Sequence, residues 1–427
     1  MNDSASTSSS FDLIIVGGGA AGIMAALTAR SNDLSVAILE KTERLGKKIL
    51  ISGGGKCNIT NLTVELENYY GSHPRFVQDV LRSFDQYDTM DWMESIGVPV
   101  VSQDSNGKVW PEAMTSKSVM AALEAALRDA GVEIFTQSNV GKASRRADGS
   151  FEIETRTGER FTSRALILAT GGRAAPHLGA DASGLSLAQS FGHTLVDQFP
   201  ALVGITTSDE WAHELTGMTL EDVEITLDDG GKGSGTTVIG SLLFTPWGVT
   251  SPAIFKLSRE VEALQAAGKE LKLKINFRPD AFANFEHAQK LLFQALGENT
   301  KKHAGTVLGY VVGYRRLGDA LVKLSGGDPE MRVRELQKRE RDRLEELIYR
   351  CPLHVTGTLG YKRAETMRGG VDVRKVDPRS MASKLVERLY ICGEMLDIDA
   401  DVGGYSFQFA FASGKAAAEA AAQALNE

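Results

Sequence analysis

The chain is poor in cysteine, with three in 427 residues, and Cys57, Cys351 and Cys392 form no C-x-x-C pair. Its seven histidines do not join them at zinc-ligand spacing. A disulfide framework and a structural metal are therefore not expected, and a reducing, cytoplasmic location fits. No apolar run approaches the roughly 20 residues of a membrane span. Positive charge is in deficit as well. The net charge of −8 lacks the basic surplus that nonspecific nucleic-acid binding requires. Met1–Ser10 is polar and serine-rich without an apolar core, so it reads as a disordered tail and not as a signal peptide. What remains is an ordinary globular composition, 42% hydrophobic and 24% charged.

What is present is concentrated in residues 11–41. Leu13–Val16 is a short apolar run suited to a buried parallel strand. Gly17, Gly19 and Gly22 follow in G-x-G-x-x-G spacing, and an Ala-rich stretch from Ala20 and Ala21 to Arg30 reads as a helix. Ser35–Leu39 is a second strand, and Glu40 and Lys41 close it. That order is a βαβ unit for a dinucleotide. Gly17 permits the turn, Gly19 admits the pyrophosphate and Gly22 lets helix meet strand. Glu40 is placed to accept from ribose hydroxyls. Its loss is expected to weaken the cofactor and leave the fold intact.

A second polar and glycine-rich stretch runs from Arg44 to Asn61. Gly53, Gly54 and Gly55 remove three successive Cβ atoms, so a flat ligand or a phosphate can lie on the backbone. Lys47, Lys48 and Lys56 can offset phosphate charge. Asn58, Thr60 and Asn61 offer neutral hydrogen bonds, and Cys57 is either a cofactor-facing thiol or a packed small residue. Further on, Ala165–Ala169 is a buried strand that runs into Thr170, Gly171 and Gly172. Val140 is a candidate adenine contact. Leu389–Cys392 is a strand followed by Gly393 and Glu394, and Gly403, Gly404 and Tyr405 precede a final Ala-rich helix.

The texture between these flanks differs. Residues 198–350 read first as alternating strands with turn signals, then as helices. The expected architecture is α/β: a Rossmann-type domain over 11–197, completed by 351–427 and interrupted by an inserted mixed β and helical domain. The pattern at Arg75–Ile96 is helical, as it is at Lys117–Ala130.

Ser52-Gly-Gly-Gly-Lys-Cys-Asn-Ile-Thr-Asn61 resembles the signature of the BaiN-like family of FAD-binding flavoproteins, which includes aminoacetone-oxidase-like enzymes and bile-acid enone reductases. The resemblance extends to Leu168–Gly172 and to Met381–Gly414. It departs at Lys56, where arginine is usual, and in Phe244–Pro252, where His is common at Pro246 and Gly at Ser251. The resemblance implies FAD. No second G-x-G-x-x-G marks an NAD(P)H domain, so any nicotinamide is a transient reductant. Glu394 then suits the ribityl hydroxyls, and the last helix N-terminus suits the flavin pyrimidine edge. Cys57, Asn58, Thr245, Trp247 and Tyr405 are candidates for the reaction centre, with Thr245 and Trp247 on the insert.

The expected partner is a small organic substrate, with no nucleic acid and no membrane; oligomeric state is open. Two reactions stay open, oxidation of an amine or amino ketone and reduction of an enone double bond. A flavoprotein with a regulatory or RNA-modification role and no small-molecule turnover is the rival of another class.

Overall fold

The computed structural model describes residues 9–102, 106–231 and 235–427. Ser9 and Ser10 belong to the first strand, Ser9–Val16, and not to the tail expected over 1–10; residues 1–8 lie outside the described ones. The chain forms two compact units. One holds the residues up to Phe199 together with Glu365–Glu427, and the other is Pro200–Ala364.

The first unit is built on a seven-stranded sheet. Glu133–Phe135, Val36–Leu39, Ser9–Val16 and Arg160–Leu168 are neighbours in that order and run parallel. Arg160–Leu168 uses one edge twice. Its first half pairs antiparallel with Phe151–Thr155, and Leu166–Leu168 pairs parallel with Leu389–Ile391. The chain does return from the insert to finish the sheet, since the strand at 389–391 covers an edge otherwise left open. Leu13–Val16 and Val36–Leu39 are buried throughout, as strands covered on both faces must be. The first helix, Ala20–Arg30, and the last, Tyr405–Asn426, pack backbone to backbone. A Cβ added at Gly414 would stand 2.2 Å from the Ala21 carbonyl oxygen.

The expected single helix over Arg75–Ile96 is two helices, Val77–Ser83 and Gln86–Ser95. Phe84 turns extended between them. The Asp85 carboxylate accepts the backbone N–H of Tyr87 and Asp88, and Asp88 accepts that of Asp85. This reciprocal cap starts a new helix inside a continuous apolar pattern.

The second unit contains a closed six-stranded antiparallel barrel. Its strands are Ile205–Thr207, Gly248–Thr250, Thr236–Thr245, Thr219–Asp228, Lys272–Asn276 and Cys351–Thr358, in that order around the ring. The strand at 351–358 pairs with Lys272–Asn276, so the insert ends beyond the boundary expected at 350. The helical texture stops at 350, but barrel closure needs one more strand. Alternation in Thr219–Asp228 slips by one at a bulge between Leu220 and Val223, and both residues still point inward. Helices Pro252–Ala266, Phe285–Glu298, Ala304–Val312, Arg315–Ser325 and Lys338–Arg350 complete the unit and its apolar core.

Candidate cofactor site

The glycine turn after the first strand behaves as its spacing requires. Gly17 has φ +109°, and a Cβ there would lie 2.4 Å from the Ala169 carbonyl oxygen. One at Gly22 would lie 1.9 Å from the Gly17 oxygen, which fixes how closely helix and strand approach. Gly19 differs, because a Cβ there meets nothing within 4 Å. The turn is packed on one side and open on the other. The helix behind it starts at Ala20 with no side-chain cap and no acid in its first turn. Its first N–H groups and positive dipole end suit a phosphate.

Glu40 closes the neighbouring strand, and its carboxylate is already engaged. Oε2 accepts the Gly18 N–H at 2.9 Å and Oε1 accepts the Thr42 N–H at 2.8 Å. Each oxygen keeps a lone pair for a ribose hydroxyl. The Glu40 carbonyl accepts the Ser138 N–H at 2.9 Å, which brings the segment leading to Val140 alongside; Val140 itself is buried.

The second glycine stretch begins as a helical turn at Lys47 and leaves helical geometry at Ser52. Gly53, Gly54 and Gly55 all have positive φ. Gly53 faces the Trp110 ring, whereas Gly54 and Gly55 have open space where Cβ atoms would be. Cys57 takes the same left-handed backbone, with φ 64°, and is buried. Burial pushes its thiol up to about 11, against a weaker opposing hydrogen bond with Ser52, so it is neutral near pH 7 and serves as a packed small residue. Asn58 is buried, and its Oδ1 has no hydrogen-bond partner. A buried amide oxygen left unpaired is costly unless a ligand donates to it.

The stretch is tied to the start of the last helix. The Asn61 side-chain amide donates to the Gly403 carbonyl at 3.1 Å, and a Cβ at Gly404 would strike the Thr60 backbone at 2.5 Å. Gln408 is fully buried; its Oε1 accepts from Thr60 at 2.7 Å and Thr89 at 2.8 Å, and its Nε2 donates to the Phe84 carbonyl at 2.9 Å. This helix too has no side-chain cap and no acid in its first turn. Tyr405 sits at the start of that helix. It is buried edge-on against Tyr69, whose hydroxyl donates to the Tyr405 carbonyl at 3.1 Å.

Several lysines among the candidate cofactor contacts have carboxylate partners. Lys41 pairs with Asp181 at 2.9 Å, Lys47 with Glu43 at 3.0 Å and Lys48 with Glu394. Lys56 is exposed. Glu394 also accepts from Thr366 at 3.2 Å and borders Gly172, where a Cβ would lie 3.2 Å from its Oε1. Thr170, beside Gly171, is overlaid by Gly184, whose Cβ would fall 1.7 Å from its hydroxyl oxygen. Ala21 is consumed by helix packing, against Gly414 and Gly393. Sequence reasoning passed over Glu365. Desolvation raises its carboxyl while Lys48 pulls the other way, and no motif marks it. The structural role of Gln408 was equally hidden; a buried amide in an Ala-rich helix is its one signal.

In the second unit, the Thr245 hydroxyl donates to the Gly248 carbonyl at 3.0 Å. The Trp247 ring lies on Gly204, where a Cβ would come within 2.2 Å. Ser251, where the family commonly has glycine, caps the helix at Pro252 by accepting the Ile254 N–H at 3.1 Å.

The open glycines, the two uncapped helix ends and the unpaired Asn58 oxygen together fit a dinucleotide with a flat polar ring. Among the described residues no group of His, Cys, Asp or Glu could hold a metal, and no helix is long and apolar enough to cross a membrane.

Comparison with known proteins agrees. The chain is 33% identical over 416 residues to a 3-dehydro-bile acid delta(4,6)-reductase of Clostridium scindens, covering 96% of this chain and 98% of that one. It is 29% identical over 415 residues to a ribosomal RNA dihydrouridine synthase of Escherichia coli, covering 96% and 97%. A 3-ketosteroid delta1-dehydrogenase from Sterolibacterium denitrificans, solved with 1,4-androstadiene-3,17-dione, has the same fold at 14% identity, with a TM-score of 0.50 over 97% of this chain and 100% of that one. The model of the HI0933-like protein Rossmann domain matches residues 11–420. The chain therefore belongs to the HI0933-like Rossmann family, as an oxidoreductase that uses a flavin.

Proposed function

We propose that this protein reduces a carbon–carbon double bond conjugated to a carbonyl, with FAD as its bound flavin and NAD(P)H as a passing reductant. One observation carries this reading. Two full-length relatives with unrelated substrates, a bile acid and a uridine in RNA, are both named for adding hydrogen across such a bond. FAD, when bound, would supply the hydride. The chain's own part is to hold and orient it. The Gly17–Gly22 turn and the first helix end would hold the pyrophosphate, Glu40 the ribose, and the Gly54–Asn58 stretch and the last helix end the ring. Glu394, held by Lys48 and Thr366, would serve the ribityl chain.

The test uses holoprotein reduced under anaerobic conditions. Mixing with a 4-ene-3-ketosteroid and, separately, with a uridine-containing RNA should reoxidise the flavin and yield a saturated product with at least one of them. Reoxidation by neither, together with bleaching of oxidised flavin by aminoacetone, would assign amine oxidation instead. Acid release of the cofactor should give FAD, and recovery of FMN or of no flavin would contradict the assignment of the glycine turn.

A further inference from the structure

The net charge of −8 is unevenly spread. Between Asn299 and Arg350 the chain has twelve lysines and arginines against eight acids, a local surplus of four positive charges. The structure gathers part of that surplus into one place. Lys301 and Lys302 lie beside Arg332 and Arg334, on two segments paired side by side. The Val333 N–H donates to the Lys302 carbonyl at 3.0 Å and the Arg334 N–H to the Thr300 carbonyl at 3.1 Å. The Arg332 guanidinium donates to the Lys301 carbonyl at 2.8 Å, and a bridge joins His303 to Arg332. All four cations are exposed.

Nearby acids offset only part of that charge. Glu330 is engaged by His303 and Arg315. Glu335 accepts the Arg332 N–H at 2.9 Å and stands 3.9 Å from the Arg334 guanidinium. An aromatic ring adjoins the cluster. Tyr310 is 66% exposed, with the Lys302 ammonium 5.4 Å from its centroid. Exposed cations on paired segments, with an exposed ring among them, are what a single-stranded phosphate backbone and its bases require.

We infer that this face of the second unit, formed by Lys301, Lys302, Arg332, Arg334 and Tyr310, docks single-stranded RNA. The full-length similarity to two ribosomal RNA dihydrouridine synthases, at 29% and 28% identity, makes RNA the fitting polyanion. The inference rests on the proposed reaction only in naming uridine as the base to be reduced. The docking itself is independent of turnover.

The experiment is fluorescence anisotropy of a labelled single-stranded oligouridylate with the holoprotein over a range of salt. Binding should weaken with salt, with a logarithmic slope of about −2 to −3 for three or four phosphates engaged. Lys301→Glu with Arg334→Glu should lower affinity by roughly tenfold or more and flatten that slope. Lys142→Glu, an equal change in sign on an exposed residue of the first unit, should leave binding unchanged. Thermal melts and flavin content confirm that each variant is folded. No measurable binding, equal binding by the double variant, or binding to phosphatidylserine vesicles in place of RNA each overturns the inference. If docking fails while a steroid enone is still reduced, the reaction reading stands. If RNA binds and no enone or uridine is reduced, the reaction reading falls and docking stands.

Discussion

At the scale of the residue, Glu40 does two things that its position in the motif does not distinguish. Its carboxylate braces the Gly18 and Thr42 backbone and keeps a lone pair on each oxygen for a ribose. Glu40→Ala would leave two N–H donors without their partner, at about 1–3 kcal/mol each where water does not replace it. The expectation of an intact fold is therefore revised. Glu40→Ala should lower the melting temperature of the flavin-free protein as well as weaken FAD, whereas Glu40→Gln should recover part of the stability. A flavin-free melt unchanged by Glu40→Ala would show that the brace is idle. Cys57 gives a prediction in pH. Its thiol ionises near 9.0 when unfolded and about 11 when buried. Below pH 9 both states hold the proton and the group contributes nothing. Between 9 and 11 the unfolded chain releases a proton that the folded chain keeps, so stability falls as pH rises, by about 2 kcal/mol for this group. Cys57→Ala should lessen that fall in denaturant titrations, and an identical decline in the variant would count against the assignment. Slow alkylation of Cys57 at pH 7 follows from the same neutrality.

Elements differ in how much of them the sequence reveals. The turn at Gly17–Gly22 was legible because Gly17 and Gly22 each have one steric cause and Gly19 faces open space. Gly22→Ala would force a Cβ against the Gly17 oxygen at 1.9 Å. It should cost at least about 1–3 kcal/mol and displace the helix end that receives the phosphates, so both melting temperature and flavin content should drop. Gly54→Ala should act differently. Its Cβ would meet nothing, but φ is +66°, so the cost is backbone strain of about 1 kcal/mol with flavin occupancy affected most. If Gly54→Ala melts as low as Gly22→Ala, the open face has been misjudged. Other elements were hidden for stated reasons. The two helices at 77–83 and 86–95 share one apolar stripe, and only the Asp85 cap separates them. Lys41 and Lys48 look free in sequence because their partners, Asp181 and Glu394, are 140 and 346 positions away. Tyr405, beside two glycines, reads equally as a pocket aromatic or as packing, and its edge-on contact with Tyr69 depends on a residue 336 positions away.

For the molecule as a whole, the interrupted plan was legible from the change in texture at Gln198, while barrel closure was not. A strand such as Cys351–Thr358 joins the ring by pairing with residues some eighty positions earlier, and no local pattern reports that. The closed barrel has a physical consequence. It leaves none of its six strands with a free edge along the ring, and its core draws only on residues between Ile205 and Val355. A contiguous segment with its own core and no open sheet is expected to fold by itself. Residues 200–364 expressed alone should therefore unfold cooperatively and bind no flavin, since every element that fits the cofactor lies in the first unit. The same segment should keep the oligouridylate affinity of the whole chain if its cationic face is the docking surface. Calorimetry, flavin titration and anisotropy on that segment separate the claims. A non-cooperative melt would show that the barrel depends on the Rossmann unit, and flavin bound by the segment would overturn the division between cofactor and insert.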